Sequence, residues 1–267
     1  MQDAHIVPLW PDGSPHNPTE PAERPRLDVY LPEGRARAPR AAVVVCPGGG
    51  YTHRAPHEGE PFARLFAEAG LVGVVCHYRV HPHRFPAPYA DAARAVRTVR
   101  SLGETYGIDP SRVAIMGFSA GGHLAATVAT QPDLHCDPED DLATRWSARP
   151  ERLILGYPVI SMVHEYHQGS AEHLLGPDTD EATRRQMSNE LHVRAGNPPV
   201  FLFHTADDPS VPCSNSLRYA EACLRIGVPV ELHVYRSGPH GVGLAGDMPS
   251  LRSWPGLLID WLRDWID

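Results

Sequence analysis

The chain has 267 residues, enough for one large domain with a substantial core, and 24 basic against 32 acidic residues give a net charge of −8. This mildly acidic balance, without any basic stripe, excludes nucleic acid and anionic membrane surfaces as expected partners. Every basic residue is Arg, which also excludes chemistry that needs a lysine amine.

The five cysteines and the N-terminus bear on the cellular compartment. Cys46 and Cys76 lie in apolar runs typical of buried strands, so we predict reduced thiols rather than a disulfide framework. The first residues carry neither a basic nor an apolar segment of a secretion signal, and no later apolar run is long enough to span a bilayer. We therefore expect a cytoplasmic protein, although an exported protein that had lost its signal would have the same sequence.

In chain order, residues 1–25 are rich in Pro, Asp and Glu and predict an irregular N-terminal arm. Apolar strand-like runs then alternate with segments of helical periodicity to the end of the chain. Strands are predicted at 26–31, 41–46, 71–78, 113–118, 153–157, 199–205 and 230–235, and helices at 60–69, 89–106, 119–126, 214–226 and 254–265. This alternation predicts a single α/β domain over 1–267, with a mainly parallel central sheet and helices on both faces.

Two long stretches interrupt the alternation. Residues 131–150 are acidic and loop-like, whereas 161–197 form a polar insertion with one helical piece around 181–190. Because structureless loops of this length are usually functional, we interpret 161–197 as a lid-like insertion.

The segment 112–126, RVAIMGFSAGGHLAA, predicts a strand, a sharp turn at Ser119 and a helix. Gly117 and Gly121 flank the serine and supply the small volume and free dihedral angles that such a turn needs. A tight turn with an incidental serine is the alternative interpretation. The strand before and the helix after it favour a nucleophile.

A serine nucleophile needs a base to take its proton and an acid to orient that base. His240 follows the predicted strand at 230–235, and the pair Asp207 and Asp208 follows the strand at 199–205. Serine, aspartate and histidine, each placed after a separate parallel strand, are expected to meet at one edge of the sheet.

A glycine-rich loop, Pro47-Gly48-Gly49-Gly50-Tyr51, follows the inner strand at 41–46. Backbone N–H groups of such a loop can stabilise the oxyanion of an acyl-transfer reaction. We predict Gly49 and Gly50 as donors, together with Ala120, the residue after the nucleophile. A phosphate-binding loop is the rival interpretation, but the Gly-Lys-Ser/Thr sequence that supports one is missing.

The sequence gives little support for a metal site or for a catalytic thiol. The 16 histidines include pairs such as His53 and His57, but none belongs to a metalloprotease motif, and we predict no metal and no cofactor. His123, one turn into the serine helix, is predicted to pack rather than to catalyse. Cys213 and Cys223 lack a strand-to-turn context and are predicted to be small buried side chains.

Together these motifs resemble the α/β-hydrolase carbohydrate esterases, which include acetylxylan esterases and related acetyl and feruloyl esterases. The similar segments, spread over nearly the whole chain, are 9–11, 46–51, 78–79, 117–124, 157–161, 174–176, 204–208, 211–212 and 238–244. In this fold the acid commonly lies three residues before a valine. That spacing from Val211 favours Asp208, with Asp207 left as a capping aspartate.

The resemblance implies a serine esterase that hydrolyses an ester, most often acetyl, on a carbohydrate, so the expected partner is a small-molecule or oligosaccharide ester. Tyr51, Trp10 and residues 167–170 are candidates for sugar contact, and packing or loop roles are the alternative. A peptidase or amidase of the same fold is the rival enzyme, and a non-catalytic binding protein of this fold is the rival of another class.

Overall fold

Eight strands form one sheet in the computed structural model of the protein, which describes residues 3–11, 13–16, 24–34, 38–134 and 141–266. The strands are β1 His5–Pro8, β2 Arg26–Tyr30, β3 Arg40–Cys46, β4 Val72–His77, β5 Ile108–Phe118, β6 Arg152–Gly156, β7 Val200–Thr205 and β8 Val230–Tyr235. The helices are α1 Glu60–Glu68, α2 Ala87–Ser101, α3 Gly103–Tyr106, α4 Ser119–Thr130, α5 Gln168–Leu175, α6 Glu181–Gln186, α7 Ser214–Ile226, α8 Trp254–Trp261 and α9 Arg263–Ile266.

The strand order is β1-β2-β4-β3-β5-β6-β7-β8. From β4 to β8 all neighbours are parallel, while β1 and β2 form an antiparallel edge. The continuous apolar run of β3 is buried on both faces, as expected for an inner strand of a parallel sheet. The predicted mainly parallel α/β sheet is confirmed.

Helices cover both faces of the sheet. One core contains side chains of α2, α4 and α7, such as Val96, Leu124 and Tyr219. The other contains Phe62 of α1 and Trp254 of α8, whose indole stacks on Phe203 with ring centroids 4.5 Å apart. The carboxyl ends of β3, β5, β7 and β8 therefore meet at one edge between two apolar layers, where a site can be held rigidly.

The N-terminal arm differs from its prediction. His5–Pro8 forms β1, which pairs with β2, so the expected irregular structure is wrong for these four residues. A strand this short, exposed and close to prolines has no readable alternation. Residues 1–2, 12 and 17–23 of the predicted arm lie outside the described residues, as do 135–140 of the acidic loop.

Two predicted helices are divided in the structure, and one further helix was not predicted. The helix predicted at 89–106 is divided into α2 and α3 around Leu102, and the one at 254–265 is divided into α8 and α9 around Leu262. The insertion contains α5, which was not predicted, in addition to α6. Within the described ranges, no helix is both long and apolar enough to cross a membrane.

Candidate active site

The turn between β5 and α4 presents Ser119 at the edge of the sheet. Ser119 has φ 51°, in the left-handed region that L-residues rarely adopt. A Cβ at Gly121 would lie 2.2 Å from the Cys46 carbonyl oxygen, and one at Gly117 would lie 2.0 Å from the Gly121 oxygen. Both flanking positions therefore need glycine because the backbones approach so closely.

Ser119, His240 and Asp208 are brought together by the ends of three strands. The Ser119 hydroxyl oxygen lies 2.8 Å from His240 Nε2, and His240 Nδ1 lies 2.7 Å from Asp208 Oδ2. With Nδ1–H donating to the carboxylate, Nε2 is free to accept the serine proton. The exposed fraction of Ser119 is 7%, so the nucleophile is largely shielded from water.

Asp208 is the buried member of the aspartate pair. Its Oδ1 accepts the N–H groups of Ser210 and Val211, both at 2.9 Å. Burial alone would raise its pKa, but hydrogen bonds from two histidines and these two N–H groups hold the pKa well below its usual range. The carboxylate therefore stays ionised beside His240.

Asp207 lies outside this arrangement. It is exposed and accepts hydrogen bonds from the Ser237 hydroxyl at 2.7 Å and from the Gly238 N–H at 2.9 Å. Asp207 therefore caps the loop that leads to His240, while its neighbour faces the imidazole.

The glycine-rich loop, residues 47–51, lies against Ser119, and we call it the oxyanion loop. Gly49 and Gly50 have φ 123° and 61°, and a Cβ at Gly49 would lie 2.3 Å from the His53 carbonyl oxygen. No described residue accepts a hydrogen bond from the N–H of either glycine. Ala120 lies in the first turn of α4, where backbone N–H groups have no partner within the helix. Three donors thus remain available at this edge.

The two predicted aromatic sugar contacts, Tyr51 and Trp10, are buried, with exposed fractions of 1% and 3%, and that prediction is wrong. The Tyr51 hydroxyl lies 2.8 Å from His123 Nδ1, and Trp10 Nε1 donates to Asp91 at 2.7 Å. Their polar atoms therefore already have partners inside the core. An aromatic residue next to a site motif does not by itself reveal which way its side chain points.

His123 is buried, as predicted, and connects the serine helix to two other segments. Its Nε2 donates to the Met187 carbonyl at 2.7 Å, and Nδ1 accepts the Tyr51 hydroxyl. Burial lowers the pKa of His123 to about 4, so the ring is neutral at pH 7. The oxyanion loop and the insertion are thereby attached to the same neutral imidazole.

The insertion at 161–197 places two histidines beside the catalytic groups. His167 caps α5 by accepting the Ser170 N–H at 3.1 Å, and His173 Nδ1 lies 3.0 Å from the Gly50 carbonyl oxygen. Burial, aided by nearby His240 and His173, lowers the pKa of His167. Within the predicted segment 167–170, His167 and Gly169 are half-buried, Gln168 is exposed and Ser170 is buried.

Sequence reasoning missed three buried polar residues around the triad: Glu58, Tyr157 and His204. Tyr157 and His204 lie in segments that carry the family resemblance, but nothing in the sequence shows what they contact. His204 has its Nε2 3.5 Å from Asp208 Oδ2 and 3.0 Å from the Val211 carbonyl. Only the fold reveals a partnership such as that of Glu58 with Tyr157, because these two residues are 99 positions apart in the chain.

Neither a metal nor thiol chemistry is supported at the site. No group of three or more His, Cys, Asp or Glu side chains in the described ranges is arranged to hold a metal ion. Cys213 and Cys223 are free and buried, and burial raises the pKa of both thiols. A thiol with a raised pKa is a poor nucleophile at neutral pH.

Comparison with known proteins places the chain in a family. The BD-FAE family model matches residues 27–222. Endo-1,4-beta-xylanase B of Butyrivibrio fibrisolvens is 34% identical over 84% of this chain and 35% of its own length. An acetylxylan esterase of Xylanibacter ruminicola is 33% identical over 82% of this chain and 44% of its own length. The chain thus spans less than half of each of these two curated relatives.

One similar solved structure aligns with this chain over almost the full length of both proteins. The acetyl ester-xyloside bifunctional hydrolase of Caldicellulosiruptor lactoaceticus is 40% identical, with a TM-score of 0.90 over 99% of this chain and 97% of that one. The similarity therefore includes the whole sheet and every catalytic loop described above. The chain belongs to the BD-FAE family of α/β-hydrolase esterases.

Proposed function

We propose that this protein is a serine esterase that removes acetyl groups from carbohydrate esters, such as acetylated xylo-oligosaccharides. The observation that carries the proposal is the hydrogen-bonded series from Ser119 through His240 to Asp208, at 2.8 and 2.7 Å, beside unengaged N–H donors. A nucleophile, a base and an oriented acid with adjacent oxyanion donors are the parts that acyl transfer requires.

In the first half of the reaction, His240 Nε2 takes the proton as the Ser119 oxygen attacks the ester carbonyl. The carbonyl oxygen becomes negative and is stabilised by the N–H groups of Gly49, Gly50 and Ala120. Asp208 holds the imidazole in the tautomer that can accept the proton and stabilises its cationic form.

In the second half, the imidazolium returns its proton to the departing sugar hydroxyl, leaving an acyl group on Ser119. A water molecule then gives a proton to His240 and attacks the acyl carbonyl. The bond from the acyl carbon to the Ser119 oxygen breaks, His240 returns the proton to that oxygen, and the carboxylic acid is released. The same donors stabilise the second oxyanion, so one geometry serves both steps.

The substrate class is supported by the relatives rather than by the triad, because the triad contacts only the reacting ester. The names of two relatives, acetylxylan esterase and acetyl ester-xyloside hydrolase, point to acetyl groups on xylose-based carbohydrate. The half-buried histidines of the insertion offer polar side chains that suit sugar hydroxyls better than a lipid chain.

Hydrolysis assays on the purified protein test this function. Acetylated xylo-oligosaccharides and p-nitrophenyl acetate should be turned over, whereas feruloyl esters and aminoacyl anilides should be poor substrates. Ser119→Ala should keep the fold and lose roughly 10⁴- to 10⁶-fold in kcat, because the nucleophile is gone.

Ser111→Ala is the matched control, because Ser111 lies on the same strand at the end remote from the turn. This variant should retain full activity. Faster turnover of anilides than of acetyl esters would favour a peptidase, and undiminished activity in Ser119→Ala would contradict the mechanism.

A further inference from the structure

A buried carboxylate lies between the two loops that flank Ser119. Glu58 belongs to the 3-10 turn Pro56–Glu58, which follows the oxyanion loop, and only 2% of it is exposed. Its Oε2 accepts the Gly48 N–H at 2.7 Å, and its Oε1 accepts the Tyr157 hydroxyl at 2.8 Å. Each carboxylate oxygen therefore binds a different part of the site.

On the oxyanion side, Glu58 fixes the peptide that leads into the loop. The Gly48 N–H points to the carboxylate and cannot serve the oxyanion, which leaves the following two glycines as donors. A Cβ at Gly48 would lie 2.7 Å from Glu58 Oε2 and 2.8 Å from the Phe118 carbonyl oxygen. The loop is thus held between the carboxylate and the residue before the nucleophile.

On the histidine side, Tyr157 carries the connection. Its hydroxyl oxygen accepts the Gly243 N–H at 3.2 Å, and its ring meets the His240 ring edge to face, with centroids 5.0 Å apart. Burial, together with nearby Glu58, raises the Tyr157 pKa well above its usual value, so the phenol stays a donor. The position of the His240 ring thus depends on the residue that Glu58 anchors.

A neighbouring histidine strengthens the same link. His57 Nε2 lies 2.9 Å from the Gly241 carbonyl oxygen and 3.7 Å from Glu58 Oε1. His57 therefore contacts the loop that carries His240 directly, and Glu58 reaches the same loop through Tyr157. Two contacts from one turn restrict that loop more than either contact alone.

We propose that Glu58 is a positioning residue for the serine mechanism, because it sets the oxyanion loop through Gly48 and the His240 ring through Tyr157. The proposal rests on the catalytic function proposed above. It predicts that loss of the carboxylate slows attack by Ser119 without removing any group that touches the substrate.

The test measures covalent phosphorylation of Ser119 by paraoxon. The serine oxygen bonds to phosphorus, the bond from phosphorus to the nitrophenyl oxygen breaks, and His240 takes the serine proton. One equivalent of p-nitrophenolate reports the step. Rates measured over a range of paraoxon concentrations separate the maximal rate from the half-saturating concentration.

Glu58→Gln leaves one acceptor oxygen for two donors. We expect the maximal rate of phosphorylation to fall by roughly 10- to 100-fold, and the half-saturating paraoxon concentration to change less than about threefold. Tyr157→Phe removes only the hydroxyl and should lower the rate by about 3- to 10-fold. Glu60→Gln is the matched control, since Glu60 is exposed and pairs with Arg64 on the surface. It should stay within about twofold of the parent.

A folded Glu58→Gln protein that is phosphorylated within about twofold of the parent rate would overturn the proposal. If circular dichroism shows that this variant is unfolded, Tyr157→Phe decides: a slower rate supports the link and an unchanged rate contradicts it.

The two proposals fail in different ways. A parent that is phosphorylated but hydrolyses no acetyl ester would contradict the substrate class and leave the Glu58 comparison intact. A parent that is not phosphorylated would overturn both, because Ser119 would then not be an activated nucleophile.

Discussion

The turn at Ser119 and the insertion at 161–197 face the same reaction centre but are built differently. The turn depends on backbone contacts that only glycine permits, and its serine is 7% exposed. The insertion contributes histidine side chains that are half-buried and make one or two hydrogen bonds each, as for His173 and His167. The comparison teaches that close backbone contacts fix the nucleophile at the sheet edge, whereas the insertion approaches the same edge through side chains.

The largest expected effect separates the two aspartates. Asp208→Asn should lower kcat on p-nitrophenyl acetate by roughly 10³- to 10⁴-fold, because an amide no longer stabilises the cationic imidazole. Asp207→Asn changes the cap on the His240 loop and should lower kcat by about tenfold or less. Steady-state kinetics of both variants provide the measurement, and a larger loss for Asp207→Asn would assign the acid to the other residue.

The next effect tests the backbone contacts of the turn. Gly121→Ala places a methyl group 2.2 Å from the Cys46 carbonyl, so we expect a loss of about 3 kcal/mol or more in the free energy of unfolding. Gly256→Ala in α8 meets no heavy atom within 4 Å and should be neutral or stabilising by about 0.5–1 kcal/mol. Urea unfolding of both variants and the parent measures these changes in the free energy of unfolding. Equal stability of the two variants would contradict the close approach.

His123 links the two regions and gives the protein a pH dependence. Its pKa is about 4 in the fold, below the ordinary value of 6.5, so as the pH falls below 6.5 the unfolded chain binds a proton that the folded chain does not. Stability should therefore drop by about 2.5 kcal/mol at pH 4.5 relative to neutral pH from this group alone.

His123→Gln can keep both hydrogen bonds without titrating. The difference in unfolding free energy between pH 7 and pH 4.5 should therefore be smaller by about 2.5 kcal/mol in this variant than in the parent. The exposed His5 provides the control, and His5→Gln should leave the difference unchanged. Urea titrations at the two pH values decide the matter. An undiminished acid sensitivity in His123→Gln would place its origin elsewhere.

The smallest effect concerns the insertion. His167→Ala removes the N-cap of α5 and should lower the free energy of unfolding by about 1 kcal/mol, while kcat on p-nitrophenyl acetate changes less than about threefold. His164→Ala, at an exposed position before the helix, is the control. Thermal unfolding and kinetics are the readouts. A kcat loss comparable with that of Asp208→Asn would mean that His167 takes part in the chemical step.

Much of the fold follows from the sequence, because buried parallel strands and amphipathic helices have strong local patterns. The runs at β3, β4, β7 and β8 were predicted within about two residues. β1 and α5 were not, since each is short, shows no clear periodicity of its own and is stabilised by its neighbours.

The sequence by itself determined the order of serine, aspartate and histidine, each after its own strand, and the glycine-rich loop that precedes them. Only the tertiary structure decided which aspartate faces His240, that Tyr51 and Trp10 point into the core, and that Glu58 joins two loops. The physical reason is that a spacing along the chain specifies backbone position, while the direction of a side chain and its partners depend on distant segments, 121 residues away for Ser119 and His240 and 184 for His57 and Gly241.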